Sequence, residues 1–268
     1  MSLINLGSAL DTLYEHNSDI NVLNEGISHL RDALALLPAH HPNRWMSLIN
    51  LGAALKTLYG CNGDITALNE SISHHHDAVA LLAAPHPARW MLFANLADLS
   101  QTLYERNGDI STLNEGISHL HDALALQPAP HPNRGSSLNK LGSALHTLFE
   151  RNGDISSLNK GVSHLHEALS FYPAPNPDRF SPLYNLAKAL LSQYNHDGEI
   201  GSLNEAIVLR RELLALYPLG HPSRTFYVGH LVELLDIRFA LNAEEADRDE
   251  IQALQGELES RSNGLQGA

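Results

Sequence analysis

The sequence predicts an all-α solenoid of about six helical hairpins, and three observations carry that expectation. The tetrad His-Pro-x-Arg starts at His41, His86, His131 and His221, with Asn176 replacing the histidine in one further copy, and each start lies 45 residues after the last. Other columns keep the same spacing, among them Ile20, Ile65, Ile110, Ile155 and Ile200, and the pairs Leu23-Asn24, Leu68-Asn69, Leu113-Asn114, Leu158-Asn159 and Leu203-Asn204. Within each copy the apolar residues follow a helical period with a single break. A repeat of this kind marks an elongated array in which each copy packs on its neighbours.

The second repeat, 41–85, justifies the hairpin. Pro42 suits a helix start, where its missing N–H costs nothing. Trp45, Leu48, Gly52 and Leu55 then share a stripe, with Leu51 and Leu58 beside it. Asn62-Gly63-Asp64 interrupts the period. Gly63 fits a helix C-terminus, and the Asp64 side chain can cap the next helix. Ile65, Leu68, Ile72, His76 or Val79 and Leu82 give a second amphipathic helix, ended by the Pro-x-Pro of Pro85 and Pro87.

The other copies follow at 86–130, 131–175 and 176–220. The first, 1–40, lacks its leading loop, since Met1–Gly7 matches Met46–Gly52. The last, 221–262, is divergent and charged and reads as a cap, with a frayed tail at 263–268. One first-helix position stays small at Gly7, Gly52, Ala97, Gly142 and Ala187, which lets helices approach closely, whereas the sixth repeat has Val232 there.

The net charge is −13, from 17 basic and 30 acidic residues, which argues against a nucleic-acid partner because that recognition is largely basic. Cys61 is the single cysteine, so no intramolecular disulfide can form and a reducing compartment fits, cytoplasmic or nuclear. No apolar run is long enough to span a bilayer, and no secretory leader is visible at the start.

In the third repeat, Phe93, Leu96, Ala97, Gly116, Leu120, Ala123 and Pro128 resemble the large and small signature positions of a tetratricopeptide repeat. The usual period of about 34 is lengthened here, which is similar to the kinesin light chain type. His41–Gly52 (HPNRWMSLINLG) and His86–Ala97 (HPARWMLFANLA) look like that type's opening segment. The near-perfect period and the ERNGDI turn of Glu105–Ile110 also resemble fungal arrays that often precede a caspase-like CHAT domain or a nucleotide-binding switch domain. The resemblance implies a right-handed superhelix whose first helices line a concave face. It further implies a non-catalytic scaffold for a protein or peptide partner. The alternative it implies is a sensor or regulatory region of a larger signalling protein whose effector domain is not in this chain.

In the kinesin light chain type, asparagines on the first helices hold an extended peptide. The matching column here is Asn5, Asn50, Asn95, Lys140, Asn185 and His230. An amide donates and accepts at once, so it can satisfy a peptide backbone without reading its side chains. Neighbouring columns vary and would set selectivity: Met46, Met91, Ser136 and Ser181 in one, Ala53, Asp98, Ser143, Lys188 and Glu233 in the other. A fixed asparagine can equally bond a neighbouring helix, so both roles stay open. The unbroken column Asn24, Asn69, Asn114, Asn159 and Asn204 reads as structural. So does Arg44, Arg89, Arg134, Arg179 and Arg224, paired with an acid or carbonyl of a neighbouring turn such as Glu105 or Asp109.

Seventeen histidines fall mostly in columns, including His29, His74, His119 and His164, and His76, His121 and His166. His74-His75-His76 cannot together ligate one ion, because successive helical residues point about 100° apart. Packing or surface roles are expected, with no metal, no cofactor and a sensitivity of stability to mild acid. There is no GxSxG, P-loop or GxGxxG, and Cys61 occupies a turn position held elsewhere by His16, Arg106 or Arg151, so no enzyme activity is expected. Trp45, Trp90 and Phe180 share a column expected to line the core.

Overall fold

The computed structural model of the protein describes residues 5, 10, 13, 14, 16, 18–84 and 86–265, with side chains to 258. Its described residues are all-α, with no strand. The helices in chain order are α1 (Ile20–Leu36), α2 (Arg44–Asn62), α3 (Ile65–Leu81), α4 (Arg89–Asn107), α5 (Ile110–Ala125), α6 (Arg134–Asn152), α7 (Ile155–Ser170), α8 (Phe180–Asp197), α9 (Ile200–Ala215), α10 (Arg224–Asn242) and α11 (Glu245–Leu265), with a 3-10 turn at Pro177–Arg179. They pair as hairpins, and the chain divides into two compact units, Met1–Ser137 and Leu138–Ala268. Gly7, in the small-residue column, lies outside the described residues.

The turn inside each hairpin is built from three side-by-side devices. Gly63, Gly108, Gly153 and Gly198 all adopt φ between 68° and 74°, where a side chain is strained. The preceding residue accepts from the backbone two positions on: Asp64 N–H donates to Asn62 Oδ1, and the same bond forms at Asn107 and Asn152. The aspartate then caps the second helix, with Asp19, Asp64, Asp109 and Asp154 each accepting a backbone N–H two residues on. The Ser111 hydroxyl and N–H hold the Asp109 carboxyl below the usual carboxylate range. Glu199 stands in the same place in the fifth repeat and makes no side-chain cap bond. The first and last turns put Ser18 and Ala243 at the positive-φ position, which costs about 1 kcal/mol relative to glycine.

The junction between hairpins is made by the tetrad. Its imidazole accepts the N–H two residues on, at 3.1 Å in His41, His86 and His221 and 3.2 Å in His131. Asn176 Oδ1 does the same at 2.8 Å, which explains why asparagine substitutes there. The arginine reaches back to the last turn of the preceding helix. Arg44 Nη1 donates to the carbonyls of Leu34 and Leu37 at 2.9 and 2.6 Å. Arg89 uses Val79 and Leu82, Arg134 uses Leu124 and Gln127, Arg179 uses Leu169 and Tyr172, and Arg224 uses Leu214 and Tyr217. The partners are therefore the carbonyls of the preceding helix end, joined at Arg179 and Arg224 by the acids Glu212 and Glu257. The cation meets the negative end of the previous helix, so its placement near its own helix start is not a penalty.

In the first unit, Leu48, Leu51, Gly52 and Leu55 of α2 are buried as the period predicts. The stripe on α3 is shifted from the expected one. Ala67, Leu68, Ser71, His75, Ala78 and Leu82 are buried, whereas Ile65 is 38% exposed and His76 is on the surface. The reason is the small residue opposite: a Cβ on Gly52 would lie 2.6 Å from the His75 ring, so the helices meet on the His75 row. Gly142 makes the same approach in the second unit, where its Cβ would lie 2.5 Å from Leu165 Cγ and 2.9 Å from the Gly161 carbonyl. Trp45 and Trp90 pack edge-on against the next tetrad's His86 and His131. Phe180 packs on the second unit's core.

Replacing Arg89 by Ala leaves two helix-end carbonyls without their charged donor and is expected to cost about 2 kcal/mol. Arg89→Lys restores only part of this, because Nη1 alone donates to both carbonyls and the lysine Nζ ends about one bond short of its position. Urea denaturation midpoints check both.

Candidate functional site

The candidate site is the solvent-facing side of the first helices that carries the asparagine column, described in each unit by itself. In the first unit Asn50 on α2 and Asn95 on α4 are half-buried, as are Met91 and Asp98, while Met46 is exposed. Asn5 is exposed. In the second unit Lys140 on α6, Asn185 on α8 and His230 on α10 are half-buried, and Lys188 is exposed. Helix periodicity places these residues one position before the buried leucines that root the face: Asn50 precedes Leu51, Asn95 precedes Leu96 and Asn185 precedes Leu186.

Part of this face is already used between repeats. Asn185 Nδ2 donates to Asn139 Oδ1 at 3.0 Å, and Asn139 Nδ2 donates to Ser181 Oγ at 2.9 Å, tying α6 to α8. Asn95 reaches inward instead, with its Nδ2 a long 3.5 Å from His75 Nε2. Lys188 pairs with Glu150 at 3.0 Å, and His230 Nδ1 lies 3.6 Å from Glu233. The column thus serves as inter-repeat bonding in places while keeping amide groups at the surface. Asn139 was not among the expected residues; it sits one position before the column, and only packing brings it between Asn185 and Ser181. The other asparagine column behaves as a strut, since Asn159 Oδ1 accepts from Gln193 and Asn204 Oδ1 from Arg238, at 2.9 Å each.

Beneath the face, one column breaks the apolar rule. It reads Leu30, His75, Leu120, Leu165 and Arg210. His75 is buried, with Nδ1 2.9 Å from the Ser71 carbonyl, so Nδ1 carries the proton and Nε2 is the acceptor. Burial pulls its pKa below 6.5, with Lys56 adding to the effect. His146 in the second unit is also buried, bonded to Ser192 Oγ at 2.8 Å, and burial lowers its pKa against the opposing pull of Glu150. Arg210 stacks its guanidinium over the Tyr184 ring at 4.7 Å. A third exception, Gln127, is 0% exposed, and neither end of its amide has a partner among the described residues. Leu37 and Leu82 fill the same position in earlier repeats. The sequence signal for His75, Arg210 and Gln127 is a polar substitution in a leucine column, whereas His146 lies in a column that is polar elsewhere except at Leu191 and is buried only by tertiary packing.

The surface histidine columns make local contacts. His74 pairs with Glu70 at 3.4 Å, His166 with Glu205 at 3.4 Å, and His76 packs on His119 at 5.6 Å. Among the described residues no group of three or more His, Cys, Asp or Glu side chains could hold a metal ion. No helix among them is long and apolar enough to cross a membrane.

The fold recurs in solved structures. A putative kinesin light chain from Podosopora anserina, made of nearly identical TPR-like repeats, is 21% identical with a TM-score of 0.55, over 78% of this chain and 97% of that one. A thermophilic TPR protein of Thermus thermophilus is 18% identical with a TM-score of 0.51, over 86% and 98%. An assembly chaperone of RpL4 is 15% identical with a TM-score of 0.53, over 96% and 97%. No protein-family model and no curated protein matches the chain. The chain therefore has the fold of kinesin light chain-like TPR arrays.

Two stability effects follow. A histidine whose folded pKa is lowered contributes fully above pH 6.5, and that stability is lost as pH falls from 6.5 toward the folded value. The melting temperature should therefore fall between about pH 7.5 and about pH 5.5. The slope should be smaller in His75→Leu, which copies the Leu165–Gly142 pairing. Gln127→Leu removes an unsatisfied buried amide and should raise stability by about 1 kcal/mol, read from denaturant midpoints.

Proposed function

We propose that the chain is a non-catalytic protein-interaction scaffold that holds an extended segment of a partner protein along its first-helix face. The observation that carries this reading is the half-buried column Asn50, Asn95 and Asn185, rooted on a leucine core and flanked by positions that change from repeat to repeat. Amides at four of the six repeats, with Lys140 and His230 in the others, suit the partner's backbone, which is the same at every residue. Variable neighbours such as Met46, Met91, Asp98 and Lys188 suit its side chains, which differ. The kinesin light chain-like and chaperone proteins that share the fold support a protein partner over a small-molecule substrate. The net charge of −13 disfavours a nucleic-acid backbone as the partner.

The experiment is capture of interacting proteins by the wild-type chain and by Asn50→Ala/Asn95→Ala. The double variant should stay folded and lose roughly tenfold or more in affinity for a captured partner, since two amides at about 1 kcal/mol each of net hydrogen bonding exceed the roughly 1.4 kcal/mol that a tenfold change requires. Equal capture by a variant with an unchanged helical spectrum would remove the amides from the recognition surface.

A further inference from the structure

Three hairpin turns carry an asparagine followed by a glycine at the same place: Asn62-Gly63, Asn107-Gly108 and Asn152-Gly153. All three asparagines are exposed. In this pair the side-chain amide is open to attack by the next backbone nitrogen, because glycine puts no Cβ in the way. At the first of them the Gly63 nitrogen would give its proton to solvent and bond to Asn62 Cγ. The Cγ–Nδ2 bond then breaks, and ammonia leaves with a proton from solvent. Water opens the resulting cyclic imide. Hydrolysis at Cγ gives aspartate, and hydrolysis at the main-chain carbonyl carbon gives isoaspartate, in which the chain runs through the side chain. No electrons are gained or lost.

The folded turn withholds the nucleophile. Each asparagine is the last residue of its helix, α2, α4 or α6. The N–H of the next glycine closes that helix, donating to the carbonyl of Tyr59 or Tyr104 at 2.7 Å, or of Phe149 at 2.8 Å. While that bond stands, the nitrogen keeps its proton and faces the helix end. The electrophile is held as well, since each asparagine Oδ1 accepts the N–H of the capping aspartate at 2.8–2.9 Å. The fifth repeat shows what aspartate does in the same place. Asp197 Oδ1 accepts the Glu199 N–H at 2.9 Å, Gly198 N–H donates to the Tyr194 carbonyl at 2.8 Å, and Gly198 keeps φ at 74°. Aspartate therefore builds the same turn. Isoaspartate lengthens the backbone by one carbon between the helix end and the glycine, so the two bonds fall out of register.

We propose that Asn62, Asn107 and Asn152 are deamidation sites latched by the fold, each released only when its own hairpin turn opens. The modification then records local opening, turn by turn. The aspartate product closes the latch again with one added negative charge, and the isoaspartate product leaves it open.

The test incubates the full chain at mildly alkaline pH, folded and in urea, and follows each site by mass spectrometry of proteolytic peptides, with aspartate and isoaspartate separated by chromatography. Conversion should be about tenfold or more slower in the folded chain than in urea at all three sites. Asp64→Ala removes the cap beside one latch, so Asn62 should convert about fivefold faster in the folded variant. Asn107 and Asn152 in the same molecules should keep their rates, and in urea the variant should match the wild type at Asn62. Asn62→Asp should keep the wild-type helical spectrum. Equal rates in the folded and unfolded chain overturn the proposal, as does a folded Asp64→Ala chain in which Asn62 gains nothing over Asn107 and Asn152. Loss of helix in Asn62→Asp overturns the reading that aspartate closes the latch again.

Discussion

The first five hairpins each end their second helix at a proline-containing loop, and the carbonyls of that helix end need donors that the chain itself cannot continue to supply. The arginine of the following tetrad supplies them. One guanidinium spans two carbonyls three residues apart, such as Leu34 and Leu37, and so fixes where the next first helix begins. The neighbouring imidazole or Asn176 amide closes the turn that carries this arginine, and the tryptophans of the second and third repeats pack edge-on against the following histidine. In an array where a repeat has only its neighbours to pack on, a joint of this kind sets the register for everything beyond it.

With the joint and the hairpin turn fixed by a few constant residues, the first-helix face is left to vary. It does so unevenly. Asn185, Asn139 and Ser181 are committed to one another across adjacent helices, whereas Met46 and Phe226 project from the surface with no such duty. The same amide column therefore has two uses, holding neighbouring helices at a set spacing and presenting polar groups between them. This is consistent with a surface read by backbone at constant positions and by side chains at variable ones.

The core has its own unevenness. Leucine columns admit His75, Gln127 and Arg210, each of which leaves a cost that leucine would not. His75 offsets it with a bond to the Ser71 carbonyl and a long contact to the Asn95 amide, linking a buried titratable group to the first-helix face. Gln127 offsets none of it. Arg210 offsets part by stacking on Tyr184. In a near-duplicate array these departures are the places where one repeat differs in physics from the next.

The hairpin fold was legible in the sequence because its determinants are local and recur in repeat after repeat. Glycine in the turn, aspartate after it and a helical apolar period each act within a few residues, whereas the tetrad proline Pro42, expected at the helix start, lies in the turn before α2, which begins at Arg44 after the N-cap Asn43. Even the replacement of histidine by Asn176 is readable once the bond is known. Tertiary structure alone decided which of two adjacent rows on α3 is the core, because the choice depends on the close approach of Gly52 to His75 and not on period. It also decided that the tetrad arginines cap the preceding helix, that Asn139 joins Asn185 to Ser181, and that Arg210 lies behind Tyr184. These depend on residues brought together from different helices, where a pattern along one strand of sequence carries no distance.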